Sequence, residues 1–137
     1  LDTMLARVRE VQEEGGSAEE QVRKVTALLL RTWKRDPDLV RVLVREVARS
    51  PEQLRRQIDE IGHAYEALEE IVAHGQESGE FRGDIDSNVA ATVFYGALEE
   101  VLTGWVMGQL PDGDEDIARA EHDVTVMLVA GFANRAG

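Results

Sequence analysis

The stretch from Pro51 to Glu77 limits most what this chain can fold into. Leu54, Ile58, Ile61, Tyr65, Leu68, Val72 and Gly75 recur there at alternating spacings of four and three, which draws one apolar stripe along a helix of roughly seven turns. Such a stripe has to be covered. A coiled coil with a second chain and a bundle within one chain both achieve that. Gly62 on the flank and the Tyr65 hydroxyl on the stripe favour the bundle, with this segment as its central helix.

The rest of the chain shows the same period, and no segment alternates long enough to compete as a strand. Residues 1–13 carry Leu1, Met4, Leu5, Val8 and Val11 on one side and stop at Gly15-Gly16. The stripe starts at the first residue, so this leading helix is expected to be partial. Ser17 with Glu20 forms a capping-box pattern that opens a helix over 17–35, its inner face Val22, Val25, Leu29 and Trp33. Asp36-Pro37 supplies a cap and a proline at the first helical position for 37–48, with Val40, Leu43, Val44 and Val47 inward. Ser50-Pro51, with Gln53, repeats the device for 51–77. A Gly-rich linker with the single anchor Phe81 follows, and Asp86 or Ser87 caps a helix over 87–110. Pro111-Asp112-Gly113 turns the chain, and Asp114 or Asp116 caps the last helix, 115–135. The fold expected is all-α: one domain over 1–137, a bundle of about five helices plus the partial leading one.

The last two helices differ from the others because they are apolar nearly all round. One side of 87–110 shows Phe94, Leu98, Leu102 and Trp105; the other shows Val89, Val93, Gly96, Gly104 and Met107. The final helix has Ile117, Val124, Met127 and Leu128 on one side and Val126, Val129 and Ala130 on another. Helices of this kind need cover on two sides. Too few helices remain to supply it, so a second copy is the expected cover, the two pairs forming a dimeric four-helix bundle. Complete burial within a monomer is the alternative.

The charge balance constrains partners. Fifteen Lys+Arg face 27 Asp+Glu, a formal net charge of −12, and residues 80–137 hold 3 basic against 11 acidic side chains. Phosphate is repelled by such a surface, so the chain by itself is expected not to bind DNA. Ten basic residues between Arg23 and Arg56 could make a local basic face, or simply solvated helix surfaces. The chain has no cysteine, which excludes thiol chemistry. No apolar run is long enough to span a bilayer and no secretion signal opens the chain, so a soluble, cytoplasmic protein without a membrane partner is expected.

Reactive constellations are weak. His63 and His74 share a helix face but stand about 16 Å apart, too far for one metal, and His122 is isolated. Asp112, Asp114, Asp116 and Asp123 imitate a calcium loop without its glycine, Ile117 standing there instead, and without its final Glu. Ser17, Ser50, Ser78 and Ser87 lie at helix starts or in the linker, none in a nucleophile elbow. No phosphate loop follows a strand. No enzyme, metal or cofactor is expected. Glu99 and Glu100 are adjacent, hence about 100° apart on the helix, and do not easily share one site. Trp33, Tyr65, Phe94 and Trp105 are either ordinary core or the lining of an apolar cavity with Tyr65 as its polar handle.

The run Ile71-Val72-Ala73-His74-Gly75-Gln76-Glu77-Ser78-Gly79-Glu80-Phe81-Arg82, then Asp84-Ile85-Asp86, Ala90-Ala91, Gly96-Ala97-Leu98 and Trp105, resembles the effector domain of TetR-type transcriptional regulators. Asp36-Pro37-Asp38-Leu39 and Ser50-Pro51 are similar to the branch that includes regulators of fatty-acid metabolism. The resemblance spans the chain except that nothing corresponds to the family's N-terminal helix-turn-helix, so Leu1 is expected to enter midway through the helix connecting the two parts. It implies a dimeric effector domain, expected to be a repressor's, that binds a small lipophilic ligand and resets DNA readers lying outside this chain. The expected ligand wall is Trp33, Leu43, Val47, Ile61, Tyr65, Leu68, Phe94, Leu98, Leu102 and Trp105. A neutral or anionic lipophile, a fatty acyl derivative among the candidates, would rest its head group against Arg31, Lys34 or Arg35. The expected dimer face is Val89, Val93, Gly96, Glu100, Gly104 and Met107 with Val124, Met127, Leu128 and Gly131. A helical homodimerisation module without a ligand is the competing reading.

Overall fold

The computed structural model describes the backbone of residues 2–45 and 51–135 and the side chains of 4–41 and 62–135. The described residues form six helices and no sheet: α1 (Asp2–Glu14), α2 (Ala18–Arg35), α3 (Pro37–Arg45), α4 (Pro51–Glu77), α5 (Ser87–Val106) and α6 (Asp114–Phe132). The all-α expectation holds, because each segment can bury only one stripe and must share it with its neighbours. Central α2 touches every other helix, while α4 lies chiefly along α5 and α6 chiefly along α2. The core they enclose draws Val22, Val25 and Leu30 from α2, Leu68 and Ile71 from α4, Phe94 and Leu98 from α5, and Leu128 from α6.

Helix entries follow the sequence in part. Asp36 caps α3 by accepting from the Leu39 amide, and Asp86, rather than Ser87, caps α5 through the Asn88 and Val89 amides. Ser17 accepts from the Glu20 amide at 3.0 Å, half of the predicted box. The Ala18 and Glu19 amides are instead taken by the Glu80 carboxylate from the linker, at 2.7 and 2.9 Å. An acid at this end also suits the helix dipole. The last helix is capped at Gly113, whose amide donates to Asp116, not at Asp114 or Asp116. Ser50 lies outside the described residues.

The linker is a packed element. Gly79 adopts φ +82° after α4, Phe81 is 2% exposed, and its ring lies 5.5 Å from that of Phe132. The Arg82 amide donates to the Phe132 carbonyl and the Asn134 amide to that of Glu80. This bridge ties the end of α6 to the turn before α5. Gly75 is required beneath it: a Cβ there would stand 2.8 Å from Phe81 Cγ and 2.9 Å from the Ala18 Cβ.

The expected helix over 87–110 ends at Val106. Gly108 takes φ +69°, and the amides of Gln109 and Leu110 turn back to the Gly104 carbonyl. One buried polar atom stands out on α2, the Thr26 hydroxyl, which has no hydrogen-bond partner among the described residues. Its desolvation is uncompensated, so Thr26→Val, which keeps the shape, is expected to raise the unfolding free energy by about 1 kcal/mol. Chemical denaturation measures this, and a loss of stability would show that the hydroxyl has a partner.

Candidate functional site

Where α4 lies along α5, two rings meet. Tyr65 and Tyr95 have centroids 4.6 Å apart and planes tilted by 31°. Both are half-buried. Burial, then the nearby Glu99 carboxylate, raises the Tyr65 pKa. Burial, Glu99 and Tyr65 in that order push Tyr95 up to about 12. The chain has two tyrosines, so an ultraviolet titration of the folded protein is expected to show both phenolates forming late, Tyr95 near 12. Between an unfolded value of about 10 and that folded value, the unfolded state binds fewer protons, so stability falls as pH rises through this window. Tyr95→Phe is expected to reduce that fall, and an unchanged slope would place its cause elsewhere. Tyr95 was not singled out in the sequence, although it stands three residues before Leu98 on the face turned to α4.

Around this pair the expected wall is assembled only in part. Leu68, Phe94 and Leu98 are buried members of the core, and Leu102 packs half-buried against it. Val47 and the side chains of Leu43 and Ile61 lie outside the described residues. The four rings do not surround one space. Phe94 packs on Phe132, centroids 6.4 Å apart. The two indoles hold the α5–α6 turn, Trp33 donating to Asp112 at 3.1 Å and Trp105 to the Pro111 carbonyl at 3.0 Å. Arg41 also covers the Trp33 ring. These bonds satisfy the N–H groups of the two buried indoles, which the sequence reading of the rings did not anticipate.

The cations expected at a ligand mouth face α6 instead. Arg31 donates to Glu121 at 2.7 and 3.1 Å, Lys34 lies 3.8 Å from Asp114, and both border a groove floored by Ile117 and Ala118. Arg35 is exposed. The acids that imitate a calcium loop have other uses too: Asp112 receives an indole, Asp116 accepts from the Gly113 amide at the start of α6 and Asp123 pairs with His122.

The outer face of α5 and α6 is clearer. Val89, Val93, Met107, Val126 and Met127 are each at least half exposed, and Gly96, Glu100 and Gly131 are exposed beside them. Three expected members are turned the other way. Val124 and Leu128 are 6% exposed and belong to the chain's own core. Gly104 is covered by Leu110, whose Cδ1 would lie 2.7 Å from a Cβ there. The early end of α5 is the reason, since it folds Leu110 back onto Gly104.

The sequence profile of the family described as "YsiA-like protein, C-terminal region" matches residues 1–131. The fatty acid metabolism regulator protein of Bacillus subtilis (strain 168) is 29% identical over 136 residues, 98% of this chain and 69% of that protein. Among solved structures, the transcriptional regulator FadR from Bacillus subtilis in complex with stearoyl-CoA is 27% identical and superposes with a TM-score of 0.79, covering 96% of this chain and 71% of that one. The fatty acid degradation regulator FadR from Bacillus halodurans shares the fold with a TM-score of 0.82 at 23% identity, over 96% of this chain and 69% of that one. These relatives are regulators rather than enzymes, and with the profile spanning nearly the whole chain and the six helices in agreement, the chain belongs to the YsiA-like C-terminal family of TetR-type transcriptional regulators.

Proposed function

We propose that this chain is the acyl-sensing and dimerising domain of a regulator of fatty-acid metabolism, a repressor in the simplest form of the switch, whose ligand is a long-chain fatty acyl-CoA. The observation that carries this is the likeness, over nearly the full chain, to a regulator solved with stearoyl-CoA. The packing of α4 on α5 supports the reading. Tyr65, Leu68, Phe94, Leu98 and Leu102 offer an apolar α4–α5 seam with half-buried members, and an acyl tail gains about 25 cal/mol for each Å² it buries. Leu43, Val47 and Ile61, from α3, the segment after it and α4, would complete the wall. DNA reading would belong to a helix-turn-helix segment outside this chain, and the net charge of −12 predicts no mobility shift of duplex DNA by this chain even at low salt. A shift there would overturn that assignment.

Isothermal titration with stearoyl-CoA, free stearate and CoA tests the ligand. The first is expected to bind, the second more weakly and the third least. Tyr65→Asp, at a half-buried position, is expected to weaken stearoyl-CoA at least about tenfold, because a carboxylate must then be desolvated beside the tail. Absence of acyl-CoA binding would leave the homodimerisation module as the reading.

The second part of the proposal is the homodimer. Among the described residues, every large apolar side chain that stays exposed lies on α5, on α6 or in the turn between them. Exposed apolar side chains gathered on one face mark an interaction surface, and the same face on a second copy is the self-complementary cover that a two-fold dimer provides.

A further inference from the structure

Glu100 is the charged member of the outer stripe of α5, standing between Val93 and Met107 with Gly96 one turn before it. Its side chain makes no ion pair or hydrogen bond among the described residues. Covering this stripe would strip water from the carboxylate, which is costly unless a cation meets it. Helices α5 and α6 together contain seven acids and a single Lys or Arg, Arg119. Arg119 is exposed, stands one heptad before the exposed Val126 on the outer stripe of α6, and likewise has no side-chain partner among the described residues. Of the neighbouring acids, Asp114 lies near Lys34, Glu121 binds Arg31 and Asp123 binds His122, Asp116 accepts from the Gly113 amide, and Glu99 is placed toward the tyrosines. Glu115 lies one turn from Arg119 on α6 and does not engage it.

Both residues stand in the half of their helix nearest the connecting turn. Glu100 lies six residues before the end of α5 and Arg119 five after the start of α6, about 9 and about 8 Å from the connecting turn at roughly 1.5 Å per residue. The two helices are joined by the turn 107–113 and run in opposite directions, Phe132 at the end of α6 packing beside Phe94 in the first half of α5. We infer that in the homodimer Glu100 of each subunit pairs with Arg119 of the other, two symmetric ion pairs that place the two-fold axis along the α5–α6 pair with both turns at the same end. This inference rests on the homodimer proposed above. The opposite orientation, with the turns at opposite ends, would separate Glu100 from Arg119 along the helices and leave a carboxylate without a cation on each side.

Sedimentation equilibrium of the wild-type chain, Glu100→Arg, Arg119→Glu and the double variant at low and high salt tests it. Each single reversal sets like charges together and is expected to raise the dimer dissociation constant about tenfold or more. The double variant, which restores both pairs with the signs exchanged, is expected to return to within about threefold of wild type. Both residues are exposed in the protomer, so helicity and melting of the monomer should stay unchanged and separate an interface effect from misfolding. Neutral single reversals, or a double variant as weak as the weaker single, would overturn the pairing while leaving the dimer standing. A wild-type chain that is monomeric throughout would overturn the dimer and the pairing together.

Discussion

Phe81→Ala is expected to cost about 3–5 kcal/mol of unfolding free energy, the usual range for emptying a buried phenylalanine site. The ring is 2% exposed and meets Phe132, and it seats on Gly75 against Ala18, so its loss opens the joint between α2, α4 and α6. The flanking Glu80 carboxylate caps α2, so displacement of the linker would also free the Ala18 and Glu19 amides, the first of them part-buried. Urea denaturation followed by circular dichroism gives the value. Gly75→Ala is expected to destabilise as well, because the new methyl would collide with the same ring. Combined with Phe81→Ala it should cost less than the sum, since the methyl then enters vacated space. Strict additivity would show that the two residues do not share one site.

Val93→Asp is expected to convert the proposed homodimer to monomer, raising its dissociation constant at least about a hundredfold. The side chain is 54% exposed in the protomer, so the folded chain tolerates the carboxylate. Symmetry places two of them in the covered interface, each desolvated with no cation assigned to it. Sedimentation velocity should show a single slow boundary while the helical signal stays at the wild-type level. Gly104→Arg distinguishes the two sides of α5. It is expected to disturb the 107–113 turn through Leu110 and lower the melting temperature, rather than act on dimerisation alone. A dimer of Val93→Asp as tight as wild type would remove the outer face of α5 from the interface.

Sequence patterns that act over one or two turns were legible. The Asp36 and Ser17 caps use side chains within three residues of the amides they bind, so their chemistry is visible in a window of four letters. The heptad stripe of α4 likewise identified Leu68 and Val72, both buried in the structure. The amphipathic surplus of α5 and α6 pointed to an uncovered face, and exposed Val89, Val93, Val126 and Met127 lie there. The candidate ligand wall was less legible, because hydrophobicity alone does not separate a side chain that fills the core from one that lines a space. Trp33 and Trp105 have the same composition signal as Tyr65, yet their N–H groups are spent on the 111–112 turn.

What the sequence by itself determined is the class of the chain: helices of known phase, most of their entries, a strongly acidic net charge, and a last helical pair that is apolar nearly all round. Tertiary structure alone decided contacts between residues far apart in the chain. Glu80 reaches the start of α2 across about sixty positions, Tyr95 faces Tyr65, and Arg31 is held by Glu121. Tertiary packing also turned Gly104 inward, through a fold-back of Leu110 that begins at the positive φ of Gly108. The physical reason is that periodicity reports the phase of each helix about its own axis, whereas pairing depends on the rotation and rise of one helix against another. That choice is made by summed packing over the whole core rather than by any local pattern.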